Sequence, residues 1–202
     1  MKINLPNKLT IARIILCPFF MIFIVYPIPS EVWSRIIAAA LFLLATITDA
    51  LDGQIARSKK LVTDFGKFLD PLADKFMVIG AMVCFCVTEK GNLSDPVFKN
   101  VIFWATIIVI LRELAVTSLR LLVSNSSGVV IAAKWKGKVK TFLQCMTVIV
   151  ILLEPIVFPD SMKVFHEGSL LSYIMIVLTV VMTIWSGYDY IKGYWDLIDP
   201  TK

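Results

Sequence analysis

Residues Thr48 to Lys75 read TDALDGQIARSKKLVTDFGKFLDPLADK, and this stretch decides how the rest of the chain is understood. It joins two apolar runs, Ile36–Ile47 and Phe76–Val87, and carries Asp49, Asp52, Asp70 and Asp74 between them. An aspartate at the centre of a membrane helix costs about 2.5–3.5 kcal/mol, so four left unpaired at mid-bilayer would cost on the order of 10–14 kcal/mol. These carboxylates need cationic partners or a place near water.

Their spacing says which partners suit them. Asp49 and Asp52 are three apart and share a helix face, and Asp70 and Asp74, four apart, do the same. Two helices that each offer an acidic pair at the same end can converge on hard cations. Oxygen donors of this kind suit Mg²⁺ or Mn²⁺, with positions left open for phosphates. Gly53 follows the first pair and Gly66 precedes the second, and glycine lets a ligand come close to the backbone. Ala56 keeps the same wall small, and Arg57 adds a cation able to grip a phosphate with two hydrogen bonds. A lone aspartate here would be read as a helix cap or a solvated helix end. Four at paired spacing, with two glycines and an arginine between them, outweigh that reading.

Taken in order, Asp49-Ala-Leu-Asp52-Gly53-Gln-Ile-Ala56-Arg57, eight residues, Gly66, three residues, Asp70, three residues and Asp74 resembles the signature of the CDP-alcohol phosphatidyltransferases. All eight fixed positions of that signature are present at its spacing. The resemblance implies a lipid substrate carrying cytidine diphosphate and an alcohol that displaces CMP. It implies two divalent cations, Mg²⁺ or Mn²⁺, on Asp49, Asp52, Asp70 and Asp74, with Asp74 also taking the proton of the attacking hydroxyl. Gly53, Ala56, Arg57 and Gly66 would line the CDP-lipid pocket, and the protein would be a homodimer.

Composition points to the same class. The chain has 202 residues, 58% of them hydrophobic, with a mean hydropathy of +0.82, which marks an integral membrane protein. The expected fold is all-α: a single polytopic domain, 1–202, with about six transmembrane helices of about 20 residues each. A short interfacial segment is expected at Met1–Thr10, where Pro6 and Asn7 would break an early helix. A signal peptide is disfavoured there, because Pro18 interrupts the apolar run and no small-x-small site precedes Pro27. Glu154–Glu167 reads as a polar connection, and its His166 is assigned no role. Cys17, Cys84, Cys86 and Cys145 lie in apolar runs without metal-ligand spacing.

The net charge of +5 is spread over the short connections rather than gathered into one patch, so it is read as topology and attraction to anionic lipid, not nucleic-acid binding. With six spans, fourteen lysines and arginines fall on the side of the termini and the acidic motif, against four on the other. By the positive-inside rule the termini and the active site face the cytoplasm, in a multi-pass protein of the cell membrane.

A second group of charges bears on the acceptor. Arg112 lies deep in an apolar run, where charge without function is rare. Its neighbour Glu113 is expected to point elsewhere, and Glu113 shares a face with Arg120. Lys134, Lys138 and Lys140 follow in the basic stretch before the fifth span. Cations facing a metal centre suit an acceptor with its own phosphate. The stretches Asn4–Thr10 with Arg13, Arg112–Arg120 and Lys136–Thr141 are similar to those of the family's bacterial phosphatidylglycerophosphate synthases. That similarity implies CDP-diacylglycerol and sn-glycerol 3-phosphate as substrates, with Arg112, Arg120, Lys134, Lys138 and Lys140 around the acceptor phosphate. The nearest rival is a cardiolipin synthase of the same family, using phosphatidylglycerol. A cation transporter with the acidic helices as an ion path is a rival from another class, and a non-catalytic membrane scaffold is a third.

Overall fold

The computed structural model describes residues 4–58, 63–127, 135–158 and 169–195. Among them every regular element is helical: α1 (Leu5–Val25), α2 (Glu31–Ser58), α3 (Asp64–Val87), α4 (Pro96–Ser127), α5 (Trp135–Val157) and α6 (Leu170–Tyr194), with a 3₁₀ turn at Gly91–Ser94. All but α3 contain a stretch long and apolar enough to cross a membrane. The first turns of α3 carry Asp70, Asp74 and Lys75, which keep it below that mark. The protein is thus an all-α multi-pass membrane protein.

Helix ends follow from local chemistry, in two places against expectation. Pro6 falls in the first turn of α1, where an N–H would have no partner inside the helix, so it starts the helix rather than breaking it. Among the described residues there is no separate interfacial segment: α1 runs unbroken through Pro18 to Val25. The expected polar connection from Glu154 is also corrected, because α5 continues through Pro155 to Val157. Glu154 is buried and accepts the backbone N–H groups of Leu171 and Ser172, each at 2.8 Å, and the Ser172 hydroxyl. A carboxylate on α5 therefore caps α6, meeting donors that a helix start leaves without partners. His166 lies outside the described residues.

The helices close into a ring. α1 packs on α2 and α3, α2 on α5, α5 on α6, α6 on α4, and α4 back on α3. Buried Ala38, Ala45, Ala73 and Ala81 let neighbours approach closely, as packing within a bilayer requires. Phe20 of α1 meets Phe42 of α2 edge to face, with centroids 5.5 Å apart. Phe19, Leu44, Trp104 and Leu114 point outward and are exposed, as lipid-facing side chains would be.

One end of the bundle is fastened by Arg35 of α2, 4% exposed. Its guanidinium donates to the carbonyl of Lys90 at 2.7 Å, to the carbonyl of Ile151 at 3.3 Å and to Asn92 Oδ1 at 3.3 Å, and pairs with Glu31 at 3.3 Å. Gly91 sits against it with φ +50°, and a Cβ there would lie 2.8 Å from Arg35 Nη2. Only glycine takes that backbone shape without strain and leaves room for the arginine.

Candidate active site

The opposite end of α1 presents Asn7, Thr10 and Arg13, three residues apart and so on one face. All three are buried. Asn7 exchanges hydrogen bonds with Thr63 Oγ1 at 2.9 and 3.1 Å, and Thr63 accepts the Gly66 N–H at 3.0 Å as the N-cap of α3. Thr10 donates to Asp70 Oδ1 at 2.8 Å. Arg13 Nη1 donates to Asp74 Oδ1 at 2.7 Å and pairs with Asp49 Oδ1 at 2.6 Å. One helix face thus reaches three successive levels of α3, and its last member bridges to α2.

Arg13 is fully buried, whereas the side chains of Asp49 and Asp74 are 40% and 44% exposed. The guanidinium stands behind the carboxylates, on the protein side, and the outer face of the pair stays open. Gly66 has a packing role as well: a Cβ there would lie 2.9 Å from Asn7 Oδ1, so its smallness lets α1 lie against α3. Asp52, Gly53, Ala56 and Arg57 occupy the last turns of α2, one turn and more beyond Asp49. Their side chains lie outside the described ones.

Asn7, Thr10 and Arg13 lie in a stretch that the sequence marks only as part of the family resemblance, with Asn7 expected to break a helix; the structure brings all three against the acidic residues and their cap. The signal for them in the sequence is an arginine inside an apolar run with two polar residues on its face.

The charges predicted for the acceptor form a second cluster. Arg112 donates to Ser186 Oγ at 2.6 Å and pairs with Glu113 at 3.3 Å, so the expectation that these neighbours point apart is corrected. The long arginine side chain curls back far enough to reach the adjacent carboxylate. Lys140, also buried, pairs with the same Glu113 oxygen. Arg120 donates to Tyr190 Oη at 2.8 Å, and both arginines lie over the Tyr190 ring, at 5.7 Å for Arg112 and 5.1 Å for Arg120. Lys75, which the sequence left unassigned, donates to Thr117 Oγ1 and lies within electrostatic reach of Glu113, Arg120, Arg112 and Asp74. Coming directly after Asp74, it links the two clusters. Lys136 pairs instead with Asp189 at 2.9 Å. Lys138 is exposed, and being two residues from both Lys136 and Lys140 it lies on another face of α5. Lys134 lies outside the described residues.

Among the described residues no three carboxylate, thiol or imidazole side chains are gathered around one point. The donor chemistry still fits a hard cation. Asp49 and Asp74 already meet at a single positively charged nitrogen, and their open sides offer only oxygen.

The family model for CDP-alcohol phosphatidyltransferase matches residues 3–185. A CDP-diacylglycerol–glycerol-3-phosphate 3-phosphatidyltransferase from Bacillus subtilis (strain 168) is 37% identical, over 98% of this chain and 99% of its own. A protein of the same name from Yersinia pestis (strain Pestoides F) is 34% identical, over 99% of this chain and 100% of its own. A probable phosphatidylglycerophosphate synthase of Mycobacterium tuberculosis is 33% identical, over 93% of this chain and 80% of its own.

Proposed function

The chain belongs to the CDP-alcohol phosphatidyltransferase family, and from that premise we propose that it transfers the phosphatidyl group of CDP-diacylglycerol to sn-glycerol 3-phosphate, giving phosphatidylglycerophosphate and CMP. The observation that carries the choice of acceptor is the basic cluster. Among the described residues Lys75 lies within electrostatic reach of Asp74, Arg112 and Arg120, and Arg112 and Lys140 share Glu113 as their carboxylate partner. Such a site suits a small alcohol with a phosphate of its own. The names of the relatives support the same acceptor.

In the reaction one free hydroxyl oxygen of glycerol 3-phosphate bonds to the phosphatidyl phosphorus. The bond from that phosphorus to the CMP oxygen breaks, and the hydroxyl proton passes to Asp74. Arg13 holds one oxygen of Asp74 and so orients the carboxylate. Asp49, Asp52, Asp70 and Asp74 would hold two divalent cations, Mg²⁺ or Mn²⁺, which supply charge neutralisation on the pyrophosphate and on departing CMP. Gly53, Ala56, Arg57 and Gly66 line the CDP-lipid pocket. Arg112, Arg120, Lys140 and Lys75 take the acceptor phosphate. Lys138, on another face of α5, stands apart from that group.

The whole chain, 1–202, is read as one catalytic domain in which α3 is the sixth span. Its termini and acidic site face the cytoplasm, where the basic connections gather. The protein is further read as a homodimer, as the family resemblance implies.

The test is CMP release by detergent-purified protein given CDP-diacylglycerol, Mg²⁺ or Mn²⁺, and glycerol 3-phosphate, each omitted in turn. Release that needs all three is the expected result. Turnover with phosphatidylglycerol but not glycerol 3-phosphate would make the protein a cardiolipin synthase and overturn the reading of the basic cluster. Metal flux without CMP release would make it a transporter.

A further inference from the structure

We propose that Arg13 is the positioning residue of the acidic site: its guanidinium ties Asp49 of α2 to Asp74 of α3 from behind, and its charge sets how tightly those carboxylates hold a divalent cation. The inference rests on the reading of Asp49 and Asp74 as metal ligands.

Four observations carry it. Arg13 is fully buried, yet arginine does not give up its proton in a protein, so a permanent cation is fixed inside the bundle. Helix α1 contains no aspartate or glutamate, so the compensating charge must come from other helices. It comes from Asp49 and Asp74, at 2.6 and 2.7 Å from the same nitrogen. Finally, the approach is from the closed side, because the arginine is buried while both carboxylates remain partly exposed. A ligand can reach the open face without displacing Arg13.

Two consequences follow from that placement. The first is geometric. Two carboxylates on different helices repel each other, and a guanidinium between them holds them at a fixed separation. Thr10 and Asn7, one and two turns back on the same face, fix the register in which Arg13 arrives. The second is electrostatic. A positive charge this close to two ligands opposes a dication on the same ligands, so Arg13 weakens the hold on metal while it orders the site. A purely structural arginine would have the first effect without the second.

The charge-removing Arg13→Gln and the charge-keeping Arg13→Lys separate them. Full-length protein in lipid nanodiscs is titrated with Mn²⁺ alone, without substrate, and bound metal is read by electron paramagnetic resonance. Arg13→Gln should bind Mn²⁺ about tenfold or more tightly than the parent, because the opposing charge is gone. Arg13→Lys should stay within about threefold of the parent, because the charge remains. Both should lower kcat, since neither side chain places a guanidinium nitrogen at the point where the two carboxylates meet. Unchanged or weaker Mn²⁺ binding by a folded Arg13→Gln protein would overturn the inference and leave the metal reading intact. If Arg13→Gln does not fold, a shift of more than about tenfold in Arg13→Lys overturns it as well. A parent protein that binds no Mn²⁺ would overturn the metal reading, and this inference with it.

Discussion

Arg13 and Arg35 are both buried arginines of the first two helices, and they face opposite ends of the bundle. Their partners differ in kind. Arg35 is held largely by neutral acceptors, two backbone carbonyls and an amide oxygen, with Glu31 completing the set. Arg13 is held by Asp49 and Asp74, two carboxylates whose outer faces are open. The Ile151 carbonyl lies inside α5, where Pro155 has no N–H to give it, and the Lys90 carbonyl opens the 3₁₀ turn, so Arg35 serves to close the structure. On the proposed reading the carboxylates at Arg13 hold metal, and there that arginine shapes chemistry as well as packing. Burial of charge alone does not separate a fastening from a functional site; the identity of the partner does.

If the contrast holds, changes at one end alter rate and changes at the other alter stability. The largest effect is expected from Asp74→Asn, which keeps shape but removes the proposed base. Turnover should fall about 10²–10⁴-fold while the thermal midpoint moves little. Comparable loss of CDP-lipid binding would instead mark Asp74 as chiefly a ligand. Next comes Arg35→Met, which leaves the carbonyls of Lys90 and Ile151 without this donor. Stability in detergent should drop by about 2–5 kcal/mol, with kcat of the folded fraction unchanged. A large loss of kcat in folded Arg35→Met protein would break the division between the two ends. The smallest effects sharpen it. Thr10→Val removes one hydrogen bond to Asp70 and should cost about 0.5–1.5 kcal/mol, seen in kcat, whereas Asn92→Ala should cost a similar amount seen only in the thermal midpoint.

What could be read from sequence follows the same line. Asp49, Asp70 and Asp74 were visible because helical periodicity acts over three or four residues, and their pairing is written locally. The all-helical membrane fold was visible because hydropathy sums over whole segments. Arg13 was hidden because its partners lie on α2 and α3, and nothing local in α1 announces which helices it will touch. Glu154 was hidden for the same reason: a glutamate before a proline reads as the end of a helix, and its use as a cap for α6 depends on how α5 and α6 pair. Pro6 misled in another way, since a proline in a first helical turn begins a helix as readily as it ends one. The basic cluster was found in part. Arg112, Arg120 and Lys140 stood out by depth or charge, while Lys75 was masked by the acidic motif it follows.

The placement of the acidic centre on α1, α2 and α3 has a consequence for how the protein is made. A nascent chain that has been synthesised as far as Lys75 already contains Asn7, Thr10, Arg13, Asp49, Asp70 and Asp74. The guanidinium that pairs with two of the carboxylates is delivered to the membrane before them. No later segment has to arrive for that compensation to occur. The basic cluster, by contrast, cannot close until Tyr190 and Ser186 are in place, at the far end of translation. Biogenesis therefore brings together the half that carries the acids first, and the half that carries the basic cluster is fitted to it afterwards.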